Sequence, residues 1–145
     1  VSLDDVAAGL AEARLSPWRM EVVIGSSGCT VVNDAYNANP ASTAAALDAL
    51  ASLPGSGRRI AVLGVMAELG DGGPAAHVAV AGHAADLGVE VLAVGTYSYG
   101  TAVLDDADAA LAALVERALV PGDAVLVKGS RVAGLEAVVK GLLGG

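Results

Sequence analysis

Residues 31–50 read VVNDAYNANPASTAAALDAL, and this stretch decides the class of the fold. Thr30, Val31 and Val32 form a β-branched run that suits a buried strand. A polar turn follows, Asn33-Asp34-Ala35-Tyr36-Asn37-Ala38-Asn39, closed by Pro40. Beyond it Ala46, Leu47, Leu50 and Ala51 recur at helical spacing. Asn39 and Pro40 suit an N-cap and a first helical position, because proline lacks an N–H that the first turn would leave unpaired. A strand therefore feeds a helix through a loop crowded with Asp and Asn. Open α/β sheets bind ligands in such crevices, at the carboxyl ends of their strands.

On the amino-terminal side, Ser2 and Asp5 make a capping-box-like pair ahead of Val6 and Leu10, which predicts a helix over Leu3–Ala13. Leu15-Ser16-Pro17 ends it, since a residue before proline avoids the helical region. Trp18–Ile24 is predicted as a strand, and Gly25-Ser26-Ser27-Gly28 as a hairpin turn into Cys29–Asn33. A domain boundary is expected near Pro17, so that residues 1–17 belong with a preceding unit and residues 18–145 form the main one.

On the carboxyl-terminal side, Pro54-Gly55-Ser56-Gly57 is a break. Arg59–Gly64 and Val89–Val94 are short apolar runs of the buried parallel type, with a helix from Pro74 to about Leu87 between them. Gly88 stands where a C-cap glycine belongs. Thr96–Thr101 is a loop, and Asp105 or Asp106 caps a helix reaching about Leu119. Ala124–Val127 is a further strand, Lys128-Gly129-Ser130 its loop, and Arg131–Leu143 a last helix. This alternation predicts an α/β, Rossmann-like three-layer domain with helices on both faces of a mostly parallel sheet. The hairpin adds one antiparallel strand. Strand order does not follow from the pattern.

At 145 residues the chain can bury a sizeable core without disulfide or metal. Its one cysteine, Cys29, beside a strand run, is expected to be a small buried hydrophobe. That count excludes an internal disulfide framework and fits a reducing compartment. A net charge of −8, with scattered Lys and Arg, argues against nucleic acid as a partner. No window of about 18 residues is free of Gly, Pro and charge, so no membrane span is expected. Val1–Leu10, with two aspartates and no basic cluster, does not resemble a signal peptide. The start at Val1 suggests a cut or processed chain.

Three loops follow strands and would gather on one sheet edge: Asp34–Asn39, Gly64–Gly73 and Lys128–Arg131. Asp34, Tyr36, Asn37 and Asn39 exceed what Asx-turns and a cap require, which favours a functional loop. Lys128-Gly129-Ser130-Arg131 allows two readings. Gly129 could let backbone approach a ligand while Lys128 supplies charge, or Lys128 could be solvated and Ser130 a cap. The spaced glycines of a P-loop are missing. His77 and His83, six residues apart, lack zinc spacing and are expected at the surface or in caps. Glu68 is a loop acceptor or a ligand contact. Ser26, Ser27 and Ser56 have no nucleophile context.

The strings NDAYNANPAS (33–42), VLGVMAELG (62–70) and VLVKGSR (125–131), the last followed by Glu136, Val138 and Val139, occur in this order. Together they resemble the C-terminal domain of the Mur ligases, and within that family the branch that adds D-alanyl-D-alanine. The resemblance runs from about Arg19 to the end, and residues 1–17 resemble the tail of the preceding ATP-binding domain. It implies a cytoplasmic enzyme of peptidoglycan precursor synthesis, inactive as this fragment alone. ATP with Mg2+ would activate the carboxyl end of UDP-N-acetylmuramoyl-tripeptide as an acyl phosphate, which the amine of D-alanyl-D-alanine attacks. P-loop, magnesium ligands and the UDP-sugar site would lie in other domains. This domain would close over the nucleotide, exclude water and present the dipeptide, a positioning effect with effective molarities of about 10⁵ M or more.

The resemblance also implies roles residue by residue. Arg19 matches a hinge arginine near the γ-phosphate, suited by its fixed fork and permanent charge. Asp34 matches a carboxylate at the ribose, with Tyr36, Asn37 and Asn39 along the same nucleotide-binding loop. Lys128, Ser130 and Arg131 match the loop near the dipeptide, Lys128 also among the catalytic candidates. Two residues depart from the pattern. Thr43 replaces a usual methionine, expected as a packing change at the helix surface, and Val65 replaces a usual aspartate, so any hydrogen bond that carboxylate accepts is lost. Competing expectations are another Mur ligase, a folylpolyglutamate-type synthetase, a stand-alone nucleotide-binding module, or an α/β interaction domain with structural loops. The YNANP loop argues against the first two.

Overall fold

The computed structural model describes residues 21–34, 40–53, 57–66, 72–96, 98–100, 103–129 and 134–144. In chain order the elements are β1 (Glu21–Ile24), β2 (Thr30–Asp34), α1 (Pro40–Ser52), β3 (Arg59–Leu63), α2 (Gly73–Asp86), β4 (Glu90–Val94), β5 (Val103–Leu104), α3 (Ala107–Glu116), β6 (Ala124–Lys128) and α4 (Glu136–Leu142). The expected helix over Leu3–Ala13 and residues 18–20 of the expected first strand lie outside the described residues.

The strands form one sheet in the order β1-β2-β6-β3-β4-β5. β1 runs antiparallel to β2, with Val22 opposite Val32, and every other pairing is parallel. The mixed α/β sheet is therefore the one that strand–helix alternation implies. β6, the last strand in sequence, lies between β2 and β3. All five of its residues are buried, which explains why AVLV shows no polar alternation.

Side chains alternate across the sheet and separate two cores. On one face Val32, Ala61, Leu63, Ala93 and Leu126 pack with Leu47 and Leu50 of α1 and Val80 and Ala84 of α2. On the other, Val31, Ile60, Val62, Val125 and Val127 pack with Leu114 of α3 and Val138 and Leu142 of α4. Cys29 is fully buried in this second core, as expected. The helices after β2 and β3 thus cover one face, whereas the helix after β6 covers the other. At the carboxyl end of β6 the chain turns away from the direction taken by both neighbours, and that reversal is what opens a crevice in an α/β sheet.

Two strand boundaries differ from expectation for one reason. β2 extends to Asp34 and β6 to Lys128, one residue beyond each expected strand, because Asp34 pairs with Lys128 and Lys128 with Leu63 across parallel ladders. Backbone pairing, blind to side-chain polarity, carries the strands past their hydrophobic signal. β5 pairs with only two residues of β4, too short to leave a periodicity. Asp106 rather than Asp105 caps α3, its carboxylate accepting from the Ala109 N–H at 2.8 Å.

At the amino edge Asp123 fastens the sheet. Its carboxylate accepts from the Arg58 N–H (2.8 Å), Arg58 Nη2 (2.8 Å) and the Val120 N–H (3.0 Å). The hydrogen bond from Arg58 is the main reason that the carboxyl group sits at about 2 rather than its ordinary 3.8.

Candidate functional site

The carboxyl edge places Asp34, Leu63 and Lys128 side by side at the ends of β2, β3 and β6. Asp34 and Lys128 lie on the α1/α2 face by the alternation that puts Val32 and Leu126 there. Lys128 Nζ donates to Asp34 Oδ2 at 2.5 Å. Lys128 is 2% exposed and Asp34 7%. A buried ammonium and a buried carboxylate each demand a countercharge, and this pairing supplies both. Lys128 is therefore not a solvated lysine. In this arrangement its ammonium group faces Asp34.

The backbone around the pair is close-packed. The Gly64 N–H donates to the Lys128 carbonyl at 2.9 Å. A Cβ on Gly129 would lie 2.8 Å from Leu135 Cδ1 and 3.1 Å from Gly64 Cα. The glycine thus serves the approach of two loops and a helix start.

The start of the loop after β3, Gly64–Met66, is tied from three directions. Tyr99 Oη donates to the Gly64 carbonyl at 2.7 Å. The Met66 N–H donates to His77 Nε2 at 2.9 Å, and Thr43 Oγ1 stands 3.7 Å from Met66 Sδ. The second nitrogen of His77, Nδ1, lies 2.5 Å from the Gly73 carbonyl. An N–H can only donate and a carbonyl can only accept, so His77 is the neutral Nδ1–H tautomer. Its ring meets Tyr99 edge to face at 4.8 Å, and burial raises the Tyr99 hydroxyl well above its ordinary value, keeping it a donor.

Two expectations are corrected here. His77, expected at the surface or in a cap, is 3% exposed and inside the core. Its position in the buried row Gly73, His77, Val80, Ala84 of α2 was a signal in the sequence, since those intervals trace one helix face. Thr43, expected at the helix surface, is fully buried. Tyr99 carried no such signal; it lies in a loop, and only the tertiary fold brings it to Gly64. His83 matches its expectation, pairing at 2.8 Å with Asp48 on the exposed side of the helices.

Arg19, Tyr36, Asn37, Asn39, Glu68, Ser130 and Arg131 lie outside the described residues. Among the described residues, no group of three or more His, Cys, Asp or Glu side chains converges where a metal ion could be held. A cavity of about 210 Å³ opens at the opposite, amino edge, between Ser26, Leu111, Leu114 and Leu142, without a charged side chain in its lining.

Residues 18–131 match the family model described as Mur ligase, glutamate ligase domain. The chain belongs to the Mur ligase family. Among curated Mur ligases, it is 41% identical to the UDP-N-acetylmuramoyl-tripeptide–D-alanyl-D-alanine ligase of Mycobacterium tuberculosis, over 98% of this chain and 34% of that protein. The Escherichia coli enzyme of the same name is 37% identical, over 97% of this chain and 33% of its own length. A crystal structure of the Mur ligase MurF from Acinetobacter baumannii superposes with a TM-score of 0.79 at 28% identity, covering this whole chain and 34% of that one. The chain spans about a third of the length of these Mur ligases. No helix among the described residues is long and apolar enough to cross a membrane.

Proposed function

We propose that this chain is the C-terminal domain of an ATP-dependent ligase that joins D-alanyl-D-alanine to UDP-N-acetylmuramoyl-tripeptide. The names of the relatives matched along nearly the whole chain support the substrates. The single observation that supports the site is the buried Asp34–Lys128 pair at the point where the sheet's connections reverse. A carboxylate held there can accept hydrogen bonds from the hydroxyls of a nucleotide ribose. Lys128, buried behind it, acts through Asp34 by fixing the carboxylate in its ionised form and orientation.

In this reading Tyr36, Asn37 and Asn39 line the nucleotide loop, Arg19 reaches the γ-phosphate, and Ser130 and Arg131 meet the dipeptide. Residues 1–17 belong to the preceding domain and act as its link to this one. The chemistry that ATP supplies is activation of the tripeptide carboxyl group; what this domain adds is orientation and exclusion of water. In the same reading the magnesium ion takes its ligands from the other domains of the whole protein.

The test is phosphate release by the complete protein with ATP, D-alanyl-D-alanine and the UDP-linked tripeptide, all three being required. Asp34→Asn should raise the KM for ATP at least tenfold and leave the KM for the dipeptide within about threefold, and Arg19→Ala should cripple turnover. Phosphate release that does not depend on the dipeptide would refute the assignment. Unchanged ATP kinetics in Asp34→Asn would remove this edge from the nucleotide site.

A further inference from the structure

His77 has the chemistry of an active-site residue and the burial of a core residue, and none of the roles proposed above falls on it. Its two ring nitrogens are spent on backbone: Nε2 on the Met66 N–H at 2.9 Å and Nδ1 on the Gly73 carbonyl at 2.5 Å. One imidazole therefore joins the first turn of α2 to the loop leaving β3. That loop in turn reaches the candidate site, because the Gly64 N–H donates to the Lys128 carbonyl and Gly129 packs on Gly64.

We propose that His77 is a positioning residue of the carboxyl-edge site: through Met66 it holds Gly64–Met66 in one conformation against Lys128, whose side chain carries Asp34. An ordinary core side chain could fill the same volume. Only a group that accepts at Nε2 while donating at Nδ1 satisfies Met66 and Gly73 together. Tyr99 closes the other end of the loop at the Gly64 carbonyl, and its ring packs on His77. The loop start is thus held at Gly64 and Met66 by side chains from α1, α2 and the segment before β5. This inference rests on the site proposed above, though its first readouts do not involve ligation.

Two amide variants separate the ring's functions. Glutamine can place an acceptor near the Nε2 position and so retain Met66, whereas asparagine reaches only the Nδ1 position and retains Gly73. In the complete protein, hydrogen exchange resolved to single amides should show Met66 and Gly64 protected in wild type and His77→Gln. In His77→Asn both should exchange at least tenfold faster. The kcat/KM for ATP should stay within about threefold in His77→Gln and fall at least tenfold in His77→Asn, at similar thermal midpoints. Nitrogen NMR of the wild-type ring should show Nδ1 protonated and Nε2 bare, a readout that needs no variant to fold. The opposite tautomer, equal exchange in the two variants, or a Gly64 amide that stays protected when Met66 opens would each overturn the proposal. A kcat/KM that merely follows thermal stability would do the same. Wild-type protein without ATP-dependent ligation would instead sink the ligase reading, and the exchange pattern would still decide the role of His77.

Discussion

Asp34 and Lys128 are 94 residues apart in sequence, yet they end neighbouring strands in register and share a buried ion pair at 2.5 Å. The geometry follows from the sheet order: β6 returns to lie beside β2, and parallel pairing aligns the last residue of each. A charge that water would otherwise solvate is thereby held by its countercharge at the mouth of the crevice.

Breaking that pair from one side should be costly. Lys128→Met leaves the Asp34 carboxylate buried without its countercharge, and loss of about 3–5 kcal/mol of stability is expected. The double variant Asp34→Asn/Lys128→Met should be more stable than the sum of the single losses implies, because it leaves no orphan charge. Urea unfolding of the four proteins gives the coupling; strict additivity would mean that the pair contributes nothing.

Asp123 sets an acid limit. Its carboxyl group sits at about 2 in the folded protein against an ordinary 3.8, held down first by the hydrogen bond from Arg58. A depressed folded value contributes stability that is complete above the unfolded value and is lost as pH falls through the folded one. Unfolding free energy should therefore drop between about pH 4 and pH 2 in wild type. Asp123→Asn should lack that part of the slope and be less stable at neutral pH, where the ion pair with Arg58 is gone. Identical pH slopes would contradict the role of Asp123.

Two glycines should respond with opposite signs. A Cβ at Gly57 would lie 2.3 Å from the Gly122 carbonyl oxygen and 2.6 Å from the Asp123 nitrogen, both backbone atoms with little room to yield. Gly57→Ala should destabilise by about 1–3 kcal/mol or more. Gly82, inside α2, has nothing within 4 Å of the same position. Gly82→Ala should stabilise by up to about 1 kcal/mol, through the helix propensity of alanine. Chemical denaturation distinguishes them directly.

Tyr99→Phe keeps the ring against His77 and removes only the hydroxyl. The buried Gly64 carbonyl then loses the donor at 2.7 Å, and a cost of about 1–3 kcal/mol is expected. A variant as stable as wild type would show that another donor, such as water, takes the place of the hydroxyl.

How far residues announce their place depends on whether the cause is local. Asp106 announces the start of α3 because a cap needs only the three residues after it. Gly88, with φ at +76°, ends α2 for an equally local reason. Thr43 and His77 mislead in isolation, since threonine and histidine are polar by type. Their burial arises from partners 23 and 11 residues away. Lys128 is the sharpest case: at the end of an apolar run it suits a loop as well as a strand, and only its neighbour on β2 decides.

Sequence alone determined the alternation of strands and helices, the antiparallel start, the motifs that place the chain in its family, and the loops that gather at one edge. These depend on periodicity, turn chemistry and caps, all of which act over a few residues. Tertiary structure decided the order of the strands, the pairing of Asp34 with Lys128, and the ties of His77 and Tyr99 to the loop after β3. Such choices compare contacts between distant segments, and a buried charge or ring nitrogen takes its partner from whichever segment the packed sheet brings within reach.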